Sequence, residues 1–205
     1  MIKMQNKYNF AANLIKHDSK NVLDVGCRKK EIKDCLSKNV RYQGLDFMEG
    51  DEVIACNLEN GIPLENKSFD LIFALDILEH VENVHFLFEE MLRVAKKEVI
   101  IALPNEYHWS RRLKFLLGKD LLYHHIFFKE KTIDRHRWIT SYYSSCDFVK
   151  FNAKNYKVEV FNWIYVYQKF RFFYKIDKFF SKFWPNLFVC ATFFRIDLTD
   201  RQKLK

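Results

Sequence analysis

Glycine and proline are scarce: five and three in 205 residues. That excludes a collagen-like, low-complexity or loop-dominated chain. No apolar run reaches about 18 residues, so no membrane-spanning helix is expected. Residues 1–16 have neither a continuous apolar core nor a small-residue cleavage site, so no signal peptide is read there. The five cysteines (Cys27, Cys35, Cys56, Cys146 and Cys190) are scattered and form no CxxC pair. Neither a metal site nor a disulfide framework is expected, and a reducing cytoplasm is the simplest home.

Apolar residues make up 49% and charged residues 29%, as in a soluble globular protein. Residues 1–103 carry 14 Lys+Arg against 17 Asp+Glu, residues 104–140 carry 8 against 4, and residues 141–205 carry 12 against 5. Aromatic residues follow the cations: 17 of the 35 lie in residues 151–195. The basic half suits an acidic substrate, a membrane surface or nucleic acid, or is simply a solvated face.

Periodicity predicts a helix over Met4–Lys16, a buried strand over Asn21–Gly26 and a short helix over 29–38. Strands follow at Arg41–Phe47, Val53–Ala55 and Phe69–Leu75. Val84, Leu87, Phe88, Met91, Leu92 and Ala95 form one apolar stripe, with Asn83 placed to cap it and Lys96 and Lys97 at its C-terminal end. A fifth strand is expected over Glu98–Leu103. This alternation argues for a parallel sheet with helices on both faces. Residues 104–140 have no clean period and read as a substrate-side insertion after a strand's carboxyl end. Beyond it come a helix over Thr140–Phe151, a strand over Lys157–Val166, an amphipathic helix over 166–183 and a last strand over Leu187–Ile196. No repeat or linker interrupts the chain, so residues 1–205 are expected to form one domain.

The segment Val22-Leu23-Asp24-Val25-Gly26-Cys27 before a helix reads as a nucleotide loop, with glycine where the chain turns sharply. Asp46 ends the next strand, 20 residues after Gly26, where a carboxylate can accept both hydroxyls of a ribose. Both residue types also make ordinary turns.

From these residues onward the chain resembles class I S-adenosyl-L-methionine-dependent methyltransferases of the type 11 group. The resemblance rests on VLDVGC (22–27), GLDF (44–47), NLENGIPLENKSFD (57–70), ALDILEHV (74–81), EEMLRVAKKEVIIALPN (89–105) and DRHRW (134–138). PNEYHWSRRLKFLLGK (104–119) is similar to methionine-biosynthesis W-type proteins and to methyltransferases encoded among cell-surface polysaccharide genes. The resemblance implies a Rossmann-like, doubly wound α/β fold with a mostly parallel seven-stranded sheet and an antiparallel last strand. It implies S-adenosyl-L-methionine as cofactor. Asp24, Gly26 and Cys27 would shape the methionine end, with Arg28 pairing the carboxylate. Asp46 would take the ribose, Phe47 the adenine face, and Asn57 and Leu58 the adenine edge, while Leu75 and Asp76 face the sulfonium. The sequence departs from the family in placing Arg28, Lys29 and Lys30 where further glycines are usual.

Methyl transfer needs a base only for a hydroxyl or ammonium acceptor. His80, His108 and His136 are the candidates, each with a structural role as its alternative. Tyr107, Trp109 and Arg111 are candidates to wall the acceptor pocket. The expected acceptor is small, or linked to a sugar or lipid, and methylated at oxygen. Nucleic acid is not expected, since the Asn-Pro-Pro-Tyr type motif is absent after the fourth strand. A non-catalytic partner protein that keeps the fold is the other reading. The helix over 166–183 sets Val166, Phe170, Phe173, Phe180 and Phe183 opposite Gln168, Arg171, Lys175, Lys178 and Lys182. It suits either the core or peripheral contact with the inner membrane surface. Oligomeric state is not legible.

Overall fold

The apolar runs become the strands of one sheet in the computed structural model, which describes residues 6–119, 135–165 and 171–201. Strands β1 (Asn21–Val25), β2 (Arg41–Asp46), β3 (Val53–Ala55), β4 (Phe69–Leu75) and β5 (Ala95–Pro104) are parallel. With β6 (Tyr156–Trp163) and β7 (Ala191–Arg201) they form a seven-stranded sheet of order β3-β2-β1-β4-β5-β7-β6. β7 is antiparallel to both neighbours, as expected of the closing strand.

Central strands are apolar on both sides because both faces are covered. Leu23, Val25, Ile72, Ala74, Val99 and Ile101 point to one face. There they meet Leu87, Phe88 and Met91 of α2 (Val84–Val94) and Val149 of α4 (Tyr142–Asn152). Val22, Leu71, Phe73, Ile100 and Ala102 point to the other, with Ile32 and with Ala11 of α1 (Lys7–Ala12). The expected doubly wound α/β architecture is therefore present.

Several boundaries differ from the expectation. Residues 29–38 hold only a 3-10 turn, Lys33–Cys35. Left-handed backbone at Arg28 (φ 43°) and Lys30 (φ 60°) occupies what would be the first helical turn, and Leu36 is already extended. Asn83 stands at the N-cap position of α2 without a capping hydrogen bond from its side chain. The Glu59 carboxylate instead accepts the N–H groups of Glu82 (2.8 Å) and Asn83 (3.1 Å), an anion at the helix's positive end. α2 stops at Val94, so Lys96 and Lys97 lie in β5 rather than at a helix terminus. Within the insertion, Trp109–Leu116 form a helix, α3. It was invisible to periodicity because none of its residues is buried. The amphipathic segment contributes α5 (Arg171–Phe180), and Pro185 opens a short helix, α6 (Pro185–Phe188), delaying the last strand to Ala191. Met4, residues 120–134 of the insertion, and Val166, Gln168 and Phe170 lie outside the described residues.

At the edge of the sheet away from the parallel strands' carboxyl ends, two acids face each other in register, Glu98 on β5 and Asp197 on β7. Both are buried. Glu98 accepts the backbone N–H groups of Lys16 and His17. Asp197 takes the Lys16 ammonium at 2.7 Å, lies 3.1 Å from His17 Nε2, and accepts the Thr199 hydroxyl at 2.6 Å. The segment after α1 is thereby tied to the sheet. Burial alone would raise the pKa of Asp197, but the bonds from Lys16, Thr199 and His17 hold it below the usual carboxylate range. An acid depressed in the folded state stabilises above its unfolded pKa and loses that contribution on protonation. Asp197→Ala should therefore cost about 1.5–3 kcal/mol at neutral pH, as charged hydrogen bonds are lost. In urea titrations, the difference from wild type should shrink below about pH 4, where the unfolded carboxyl protonates.

Candidate active site

The strand order reverses beside β1, so the carboxyl ends of β1, β2 and β4 border one crevice. At its floor the chain turns at Gly26 with φ +74°. A Cβ there would come within 2.6 Å of the Ile77 side chain, so no larger residue fits without displacement. The N–H groups of Gly26 and Cys27 both donate to the Leu45 carbonyl, at 2.8 and 3.1 Å. Arg28 keeps a left-handed backbone although it is not glycine, and its N–H donates to Asp46 Oδ2 at 2.7 Å. Phe47 N–H donates to Asp46 Oδ1 at 2.7 Å. Two backbone donors thus orient this carboxylate at the end of β2. Asp76, at the end of β4, is also left-handed, with φ 54°. Conformations of this kind cost about 1–2 kcal/mol each, and their clustering marks a functional site.

Asp24 is buried beneath this turn and accepts the Tyr42 hydroxyl at 2.7 Å. Burial pushes its carboxyl up to about 7, against the lowering effect of Tyr42. Burial also pushes the Cys27 thiol up to about 12, which rules it out as a thiolate nucleophile near neutrality. Leu75 and Asp76 line the same cavity as Asp24, Gly26, Cys27 and Arg28. Sequence reasoning missed Lys7 and Tyr8, which α1 brings over the cavity. Lys7 pairs with the Asp76 carboxylate. Burial works against its charge, yet Asp76 keeps its pKa above the ordinary lysine value.

The donor set fits S-adenosyl-L-methionine: an oriented carboxylate for two hydroxyls, buried and surface acids for an ammonium and a sulfonium, and an ammonium for a carboxylate. The cavity itself is about 30 Å³, roughly one water's share of liquid, so Lys7 and Arg28 must swing outward to admit it. At the adenine side Phe47 is exposed and Leu58 buried. The side-chain oxygen of Asn57 already accepts Glu59 N–H at 3.1 Å, leaving one lone pair and its amino group for a ligand.

A larger apolar pocket of about 360 Å³ lies beyond the turn after β4, lined by Leu78, Val84, Leu103, Trp138, Ile139 and Phe148 among others. The described end of the insertion builds one wall. Arg137 and Trp138 donate their N–H groups to the Glu79 carbonyl, at 2.8 and 3.3 Å, and Trp138 Nε1 donates to the Val81 carbonyl at 2.7 Å. Docking this segment brings His136 to His80, their rings edge to face with centroids 4.6 Å apart. Glu79, in the same turn as His80, completes the group.

His108 does not join them. It stands at the N-cap position of α3, with Nδ1 2.9 Å from the Ser110 hydroxyl, and is itself buried. Its Nε2 lies 3.5 Å from the fully buried carboxylate of Asp177 on α5, which also accepts Trp109 Nε1–H at 2.8 Å. Trp109 stacks towards Phe173, Arg111 pairs with Glu106, and Tyr107 is exposed beneath Arg112. None of the three lines the larger pocket. On α5 the buried residue is Asp177, while Phe172, Phe173 and Phe179 are exposed, as are Phe183 and Trp184 just after it. Of the apolar side read from the sequence, Phe173 and Phe183 are exposed, while Phe180 is half-buried and stacks on Trp184 and Phe188.

The family model described as methionine biosynthesis protein MetW matches residues 5–196. No curated protein matches the sequence. Among solved structures the chain is similar to an S-adenosylmethionine-dependent methyltransferase of Archaeoglobus fulgidus, with TM-score 0.58, 14% identity, and 88% of this chain and 86% of that one covered. A methyltransferase of the same cofactor class from Thermotoga maritima gives TM-score 0.61 and 13% identity over 93% and 87% of the two chains. The YcgJ protein of Bacillus subtilis gives 0.56 and 13% over 97% and 100%. At such identities the likeness establishes a shared fold.

The His108–Asp177 contact has a pH signature. Burial would lower the pKa of His108, but Asp177 and Cys190 raise it to about 9. A histidine raised in the folded state stabilises fully below its unfolded pKa, about 6.5, and loses that contribution as pH climbs through about 9. Urea midpoints should fall between pH 6.5 and 9.5 for wild type. Asp177→Asn should start lower and change less over that range.

Proposed function

The chain belongs to the methionine biosynthesis protein MetW family, and on that footing we propose that it is an S-adenosyl-L-methionine-dependent methyltransferase. Its acceptor has an apolar body and is methylated at oxygen. The observation that carries this reading is the left-handed turn at Gly26 and Arg28, whose Arg28 N–H holds the Asp46 carboxylate at the carboxyl end of β2, while an apolar pocket of about 360 Å³ lies by the carboxyl ends of β4 and β5.

Bound S-adenosyl-L-methionine supplies a methyl group activated by a sulfonium. The protein's part is to hold the two partners in line and keep water away. Asp46 accepts the ribose hydroxyls, and Lys7, once released from Asp76, is free to pair the methionine carboxylate. Asp24, whose carboxyl burial pushes up, would gain from an ammonium placed beside it, which favours its ionised form. Leu78, Trp138 and Phe148 exclude water from the acceptor. His80 is the base for a hydroxyl, its Nδ1 hydrogen-bonded to the Arg135 carbonyl at 3.1 Å.

A lipid-linked acceptor is supported by the exposed Phe172, Phe179, Phe183 and Trp184 beside the exposed Lys175, Lys178 and Lys182. Such a surface suits an anionic membrane interface. The non-catalytic partner reading is favoured by one observation, the ion pair of Lys7 and Asp76 across a cavity of about 30 Å³.

Two measurements separate these readings. Calorimetric titration should detect binding of S-adenosyl-L-methionine and its demethylated product, weakened at least tenfold by Asp46→Ala, since charged hydrogen bonds are worth about 1.5–3 kcal/mol each. No binding at millimolar ligand would leave only the partner role. In co-sedimentation, the protein should bind anionic liposomes in low salt, less so at physiological ionic strength, and not after Lys175, Lys178 and Lys182 are changed to Gln. Equal binding to neutral liposomes, or a dimer with no liposome binding, would overturn the membrane contact.

A further inference from the structure

We propose that Glu79, His80 and His136 form a binding site for one divalent first-row transition-metal ion, beside the apolar pocket that Glu79 lines. One ligand atom from each of the three lies within 4.8 Å of the others. Coordination at about 2.0–2.2 Å sets ligand atoms about 3–4 Å apart, so a small contraction of side chains closes the site.

The surroundings are arranged as metal sites require. Glu79 is 1% exposed and the His136 side chain 8%, so an ion there would be largely shielded from water on the protein side. His80 Nδ1 faces the Arg135 carbonyl at 3.1 Å, which fixes the proton on Nδ1 and turns the Nε2 lone pair away from that carbonyl. His136 Nδ1 lies 3.9 Å from Glu106 Oε1, beyond hydrogen-bond distance but close enough for the carboxylate to favour a cation beside it. Glu106 is in turn held by Arg111. The backbone reinforces the geometry, because the residues flanking His136 bond to Glu79: Arg137 N–H donates to its carbonyl, and Arg137 Nε donates to the His80 carbonyl at 3.2 Å.

Two imidazoles and one carboxylate suit zinc, manganese, iron or cobalt in the divalent state, and leave positions for water or a substrate oxygen. Glu79 also borders the apolar pocket, so an ion bound there would lie beside it. The binding site stands without any assumption about catalysis, and an ion held by His80 would take that residue out of the role of base. No cysteine spacing marks this site, and its third ligand, His136, comes from 56 residues downstream of His80.

The test uses the intact protein after treatment with a chelator. Equilibrium dialysis against Zn(II) and Mn(II) should give a bound ion that is lost, or at least tenfold weaker, in Glu79→Gln and in His136→Ala. In the wild-type protein itself, substoichiometric Mn(II) should broaden the imidazole proton signals of His80 and His136 before those of His17 and His85. That readout does not depend on any variant folding. Retained binding in both variants, or broadening that spares His80 and His136, would overturn the site. So would no uptake at millimolar metal, leaving a Glu–His contact only. Parallel calorimetry with S-adenosyl-L-methionine keeps the readings apart. Cofactor binding without metal uptake defeats this inference alone; metal uptake without cofactor binding defeats only the methyltransferase reading.

Discussion

Everything functional in this molecule follows from the ladder of parallel hydrogen bonds that sets β1 between β2 and β4. Parallel strands end on the same side, so the turns after Val25, Asp46 and Leu75 meet whether or not their sequences favour contact. The strands are held there by burial on both faces, which leaves no register in which the apolar side chains would be better covered. Acidic residues gather at both ends of the sheet. Asp24, Asp46 and Asp76 stand at the carboxyl side, and Glu98 and Asp197 at the opposite one. The first group borders the crevice, with Asp76 alone of the three in left-handed backbone. The second is consumed in binding backbone and ammonium groups from the segment after α1.

The crevice keeps its shape without the glycines that usually relax such a loop. Arg28, Lys30 and Asp76 all hold left-handed backbone at a cost that glycine would avoid. Part of that cost is offset locally, since Arg28 N–H gains the Asp46 carboxylate as its acceptor. The side chains this loop carries are cationic, so the crevice mouth gains charge where a glycine loop offers bare backbone.

The strands were legible because apolar runs such as Leu71–Ala74 and Val99–Leu103 have few alternative uses. α2 was legible for the same reason: its stripe is the core contact itself. α3 and the 29–38 segment were misread from opposite causes, one lacking a buried stripe and the other having apolar residues at helical spacing but backbone angles that forbid the helix. Of the site, Asp24, Gly26, Asp46 and Asp76 could be named from strand ends. Lys7 could not, because an ion pair joining residues 69 positions apart leaves no local pattern. Nor could the opposite fates of the histidines be read. His80 and His136 meet because the insertion folds back onto Glu79, whereas His108 is captured by Asp177 on α5, 69 positions further along the chain.

The ion pair between Lys7 and Asp76 ties the first residue of α1 across the cavity. α1 is only six residues long, too short to persist as a helix without its contacts. Its far end is held independently, by the buried Ala11 and Leu14 and by Phe10 against Phe193. The cover is thus a short turn hinged on a fixed base: the ion pair holds the moving end, and the core holds the hinge.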